Sequence, residues 1–118
     1  VDTIYTHWAG DSNQDHIATF KSTMAAARYV RNVYCYEQIP IPRLSENLMS
    51  VNYYVNIDTT FDQKIVAAEC HKSQFKKYKE VGFDVTENLT TLAKYRGIQA
   101  CCKYAEGFQI IKKVENDY

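Results

Sequence analysis

From Ser50 to Asp58 the odd positions, Val51, Tyr53, Val55 and Ile57, are apolar or aromatic. The even ones, Ser50, Asn52, Asn56 and Asp58, are polar, with Tyr54 the exception. A two-residue period of this kind is a β-strand with one face on a core and one in water. Upstream the period changes. Ile17, Phe20, Met24, Ala27, Val30 and Tyr34 recur at steps of three and four, the apolar stripe of an amphipathic helix, expected over 13–34. Asp11, Ser12 and Asn13 supply N-cap chemistry, Ser12 with Asp15 resembles a capping box, and Arg28 and Arg31 suit the far end of the helix dipole. Residues 1–10 show no period and are expected to form an extended arm, while Pro40 and Pro42 impose an extended connector.

After the opening strand, residues 58–62 are turn-like. Lys64–His71 is expected as a second strand, with a helix over 63–80 as the competing reading because those residues have good helix propensity. Val81, Phe83 and Val85 alternate as a third strand, Glu87 and Asn88 punctuate, and Ile98, Ala100, Cys102 and Tyr104 share one face of a fourth. Ala105-Glu106-Gly107 is expected as a hairpin loop before a last strand carrying Phe108, Ile110 and Val114. The expected fold is therefore one α+β domain, 1–118, with an N-terminal helix packed on a curved antiparallel meander of four to five strands over 48–115.

Composition narrows the classes. With 46% hydrophobic residues, ten Tyr and five Phe, the chain has the makings of a core rather than a disordered tail. No apolar run approaches the roughly 20 residues of a membrane span. Four cysteines, Cys35, Cys70, Cys101 and Cys102, suggest two disulfides in an oxidising compartment. Together with the start at Val1 and the sequon Asn88-Leu89-Thr90, this leads to the expectation of a secreted, extracellular protein with Asn88 as a glycan acceptor. Cys101 and Cys102 are strand neighbours on opposite faces, so Cys35–Cys102 and Cys70–Cys101 are favoured among three possible pairings.

Net charge is zero but uneven. Residues 1–63 carry four Lys/Arg against seven Asp/Glu, and residues 64–113 carry ten against five. Lys72, Lys76, Lys77 and Lys79 form the densest basic patch. On an edge strand lysines at this density guard against aggregation. A phosphate or nucleic-acid surface is the sharper alternative, and the neutral overall charge argues against it.

Catalytic chemistry is sparse. His7, His16 and His71 stand at no metal-ligand spacing, no CxxC pair occurs, and no cofactor or metal is expected. Glu69 and His71, two apart on an expected strand, are the one candidate acid–base pair, a ribonuclease-like reading whose plainer explanation is solvated surface. With catalytic groups scarce and tyrosines abundant, the favoured function is binding of another protein rather than catalysis.

Gly10 before a long helix, followed by Ser50-Val51-Asn52-Tyr53-Tyr54 opening a strand, resembles the cystatins, which wedge into the cleft of papain-class cysteine proteases. The resemblance implies a partner-binding edge made of Gly10, the segment Leu48, Met49, Ser50 and Val51, and the loop Ala105, Glu106, Gly107 and Phe108. The family's QxVxG segment reads Glu46-Asn47-Leu48-Met49-Ser50 here, so the implied protein is a cysteine-protease inhibitor or a degenerate relative of one. Two alternatives share the layout: a pathogen effector with a ribonuclease-like fold directed at a host protein, and a lipocalin-like binder of a small apolar or amine ligand.

Overall fold

The structure is a computed structural model that describes residues 1–10, 13–39 and 48–116. Asp11 and Ser12 of the expected cap, Pro40, Pro42, Glu46 and Asn47 lie outside the described residues. The architecture is α+β: β1 (Thr3–Thr6), α1 (Gln14–Ala26), β2 (Asn32–Tyr36), β3 (Tyr53–Asn56), α2 (Phe61–Glu69), α3 (Lys72–Glu80), α4 (Val85–Ala100) and β4 (Ala105–Lys112). The four strands form one sheet in the order β1-β2-β4-β3. Internal contacts divide the chain into two compact units, one of residues 1–53 with 107–118 and one of residues 54–106.

The first unit is built on β2. The expected helix over 13–34 stops at Ala26, and Asn32–Tyr36 is a strand. The physical reason is tertiary. Asn-Val-Tyr-Cys-Tyr is rich in β-branched and aromatic residues, and it finds a partner on each side. β1 pairs with it in parallel, Thr3 opposite Asn32 through Thr6 opposite Cys35. β4 pairs antiparallel, Tyr34 opposite Ile110 and Tyr36 opposite Phe108, with an irregularity between Val33 and Tyr34. Val33, Tyr34 and Cys35 are all buried, and the Cys35 side chain is fully enclosed. The stepwise spacing of Val30 and Tyr34 with the helix is therefore incidental. The expected arm contains β1, whose parallel pairing with β2 requires a crossover, and α1 supplies it. Asn13 starts α1, its side chain accepting from the backbone N–H groups of Asp15 and His16, and the hydroxyls of Thr6 and Thr23 bond at 3.0 Å between strand and helix.

The second unit corrects the meander. Of the expected strands over 64–71, 81–85 and 98–104, none is a strand. The first region forms α2 and α3, the competing helical reading, and the burial of Phe61 with partial burial of Lys64, Ile65 and Ala68 follows a helical stripe. Val81 is 77% exposed and belongs to the end of α3, so its alternation with Phe83 and Val85 marks no sheet face. Gly82 sits at φ +78°, the backbone N–H of Gly82 bonds the Lys79 carbonyl, and that of Phe83 bonds the Tyr78 carbonyl. This pair of bonds is a Schellman cap, closed by the Phe83 ring lying 5.3 Å from Tyr78. Asp84 then caps α4 by accepting from the Glu87 N–H at 3.0 Å. Glu87 and Asn88, expected as punctuation, lie inside that helix, as does Ile98, expected on a strand face and here 77% exposed. The unit's core gathers Ile57, Phe61 and Ala93 with Val55, Ile65 and Tyr104, the Phe61 and Tyr104 rings stacking at 3.9 Å.

Ala105–Gly107, expected as a hairpin loop, is the first part of β4, with Ala105, Gly107 and Phe108 buried. The glycine that suggests a turn is there accommodated as strand. No disulfide is present: Cys35, Cys70, Cys101 and Cys102 are free thiols. Three of them donate to backbone carbonyls, Cys35 to His7, Cys70 to Val66 and Cys102 to Tyr104. The pairing argument fails because it requires strands at 70 and 101–102, where helices end instead.

Gly97 decides how closely α4 approaches the chain that follows it. A Cβ there would stand 2.5 Å from the Lys103 carbonyl oxygen and 2.7 Å from that of Cys102. Helix propensity alone favours Ala over Gly by about 1 kcal/mol. We expect Gly97→Ala to reverse that sign and destabilise by about 1–2 kcal/mol through overpacking. Urea unfolding of the two proteins measures it, and a stabilised variant would show that the turn yields.

Candidate functional site

The described residues bring together a polar cluster in the first unit that no spacing in the sequence announces. His7 directly follows β1, Tyr36 ends β2, Gln38 lies two residues beyond, and His16 stands in the first turn of α1. All four therefore sit at the carboxyl ends of two parallel strands or at the start of the helix that joins them. In open parallel α/β sheets ligands bind outside the carboxyl ends of the strands, where loops and helix starts converge.

The geometry forms a chain of hydrogen bonds. The Tyr36 hydroxyl lies 3.1 Å from His7 Nε2, His7 Nδ1 lies 2.7 Å from Gln38 Oε1, and Gln38 Nε2 lies 3.4 Å from His16 Nε2. An amide oxygen can only accept, so Nδ1 of His7 carries a proton, and in the neutral ring Nε2 is then the acceptor for the Tyr36 hydroxyl. The Gln38 amide then donates to Nε2 of His16. Burial first, and Cys35 next, push the Tyr36 phenol above its ordinary value, which keeps it a donor. The two rings stack at 4.1 Å and within 4° of parallel, and Tyr36 meets His7 edge-on at 5.1 Å. Both imidazoles remain partly exposed, so a solute can reach them.

Trp8 and Gly10 shape the adjoining loop. A Cβ on Gly10 would fall 2.3 Å from the Trp8 ring, so the indole lies directly over the glycine backbone, and only a residue without a side chain admits it there. The cystatin resemblance sets Gly10 against a protein partner; here it is covered by Trp8.

The other expected site residues are dispersed. Leu48 and Ser50 are exposed and Met49 and Val51 partly so, in the segment leading to β3. Ala105, Gly107 and Phe108 are buried strand residues, and Glu106 is ion-paired with Lys64 at 2.6 Å, so the expected contact loop does not exist. Glu69 and His71 flank the break between α2 and α3 rather than sharing a strand face, and two-residue spacing at a helix end does not set side chains against each other. Asn88, the expected glycan acceptor, donates its side-chain amide to the Asp84 carbonyl at 2.7 Å. Among the described residues no group of three or more His, Cys, Asp and Glu that could hold a metal ion is gathered.

The sequence matches no protein-family model and no curated protein. Its fold is similar to that of a conserved protein from Thermus thermophilus, known from a crystal structure, with a TM-score of 0.71 at 18% identity. The similarity covers 98% of this chain and 54% of that one, so the chain spans about half the length of that protein. At this identity the likeness shows the fold.

Cys35 gives the first unit a pH signature. Burial pushes its thiol from an ordinary 9.0 to about 11. The neutral thiol is thus favoured by folding. That contribution is complete below the unfolded value near 9 and is lost as pH rises through about 11. Equilibrium unfolding of Cys35→Ala and the parent from about pH 8 to 11 should show a fall in the parent that the variant lacks in part. Identical pH profiles would contradict the assignment.

Proposed function

We propose that the chain binds a small polar molecule at the carboxyl ends of β1 and β2, against the stacked rings of His7 and His16. One observation carries the reading: the continuous chain Tyr36–His7–Gln38–His16, closed by the stacked imidazoles. Gln38 fixes the tautomers of both rings, and fixed tautomers are what a site needs to accept a proton or hydrogen bond at a defined nitrogen. The site is polar and reachable by solvent. A cluster of imidazole, phenol and amide groups suits a ligand bearing a hydroxyl or an ionisable acid.

Trp8 is the chain's one tryptophan, so its emission reports on the loop next to His7. Titration with acetate, inorganic phosphate and a neutral hexose should give a saturable change in Trp8 emission with at least one of them. The same ligand should move the imidazole nitrogen resonances of His7 and His16. Gln38→Ala should weaken binding by roughly 10-fold, the equivalent of one charge-assisted or well-placed hydrogen bond. No saturable response from any of the three classes would remove this reading. Papain inhibition on the same sample tests the protein-binding expectation attached to the cystatin resemblance; nanomolar inhibition would move the function to the Leu48–Val51 segment.

A further inference from the structure

The second unit holds a cavity of about 530 Å³ between the end of α2, α3 and the start of α4. This is within the usual range for small-molecule sites, about 300–1,000 Å³. Its walls divide by chemistry. Phe75, Phe83 and Val85 are apolar, and Lys76 and Lys79, one turn apart on α3, bring two ammonium groups to the same space. The Schellman cap at the end of α3 makes the arrangement. It folds Phe83 back against Tyr78, and Gly82 lines the cavity with open space where its Cβ would be.

Two carboxylates, Glu69 and Asp84, line the cavity with the two lysines. Asp84 is engaged in capping α4, and Glu69, Lys76 and Lys79 are all exposed. Lys76 and Lys79 are in neither of the ion pairs found among the described residues, Lys64–Glu106 and Lys113–Glu115. α3 as a whole carries Lys72, Lys76, Lys77 and Lys79 against Glu80. An apolar space beside two lysines that stand outside those ion pairs is complementary to a molecule that is apolar at one end and anionic at the other.

We propose that this cavity binds a compact ring-bearing monoanion, an aromatic carboxylate or sulfonate, with the ring between Phe75 and Phe83 and the acid group on Lys76 and Lys79. The basic patch of α3 then has a function beyond solubility: half of it faces the cavity and half does not. Lys76 and Lys79 line it, and Lys72 and Lys77 do not, Lys77 instead lying 5.7 Å over the Tyr78 ring. That division supplies the internal control.

The test uses the full chain and two fluorescent probes of similar shape, anilinonaphthalene sulfonate, which is anionic, and phenyl-naphthylamine, which is neutral. The anionic probe should bind saturably at one site. Lys76→Gln with Lys79→Gln should weaken it by roughly 10-fold or more, as expected for loss of charge-assisted contacts. Lys72→Gln with Lys77→Gln removes the same charge from the same helix and should leave affinity within about twofold, an energy below about 0.5 kcal/mol by the conversion of affinity to free energy. Far-UV circular dichroism melts of both double variants confirm that each is folded. Equal losses in the two double variants would reduce the effect to the general field of α3 and overturn the site. Absence of one-site binding, or neutral-probe affinity equal to the anionic probe's, would overturn it as well.

Discussion

β2 has to satisfy backbone groups on both of its edges at once, and the first unit is arranged around that requirement. An interior strand exposes N–H and C=O groups in two directions, and each buried group left unpaired costs on the order of 1–3 kcal/mol. β1 meets one edge in parallel and β4 meets the other antiparallel. The parallel partner is the demanding one, because the chain must cross over and return in the same direction. α1 exists to make that crossing. With β2 held on both sides, Val33, Tyr34 and Cys35 become inaccessible to water, and Cys35 serves as a small apolar filler whose thiol bonds the His7 carbonyl.

The same requirement creates the polar cluster. Parallel strands end at the same side of the sheet, so the residue after β1 and the residues at the end of β2 become neighbours regardless of their separation in sequence. His7 and Tyr36 are 29 residues apart in the chain and 3.1 Å apart in space. The helix that makes the crossing begins on that side too, which brings His16 onto His7. Three elements that exist for backbone reasons therefore deliver four polar side chains to one place, and Gln38 links them.

The second unit relies on helix ends rather than on strand pairing. α3 stops where Gly82 adopts a left-handed backbone, α4 starts on Asp84, and α4 ends at Cys101 with φ 59° and ψ 39°. A non-glycine residue in that region carries strain of about 1 kcal/mol, and the turn that follows brings Tyr104 onto Phe61. Close passage of the chain past Gly97 completes the packing. The cavity between α2, α3 and α4 is lined by residues of both caps, Gly82, Phe83 and Asp84.

Local chemistry written in the sequence determined several features by itself. Tyr53, Val55 and Ile57 alternate into β3 and its approach to the core, Asn13 is an N-cap, and Phe108 and Ile110 lie in the last strand. Each depends on neighbours a few residues away. The α+β class was legible for the same reason. The identity of the middle third was not, because Ile65, Val66, Phe83, Val85 and Ile98 satisfy two periods when the windows are only a few residues long, and tertiary packing chose the helical one. Residues 32–36 show the opposite choice, a helical spacing overruled by two waiting strand edges. The histidine cluster could not be read from spacing at all, since its members come from three separate elements. It exists because a parallel pairing, a property of the folded chain alone, sets the ends of β1 and β2 side by side.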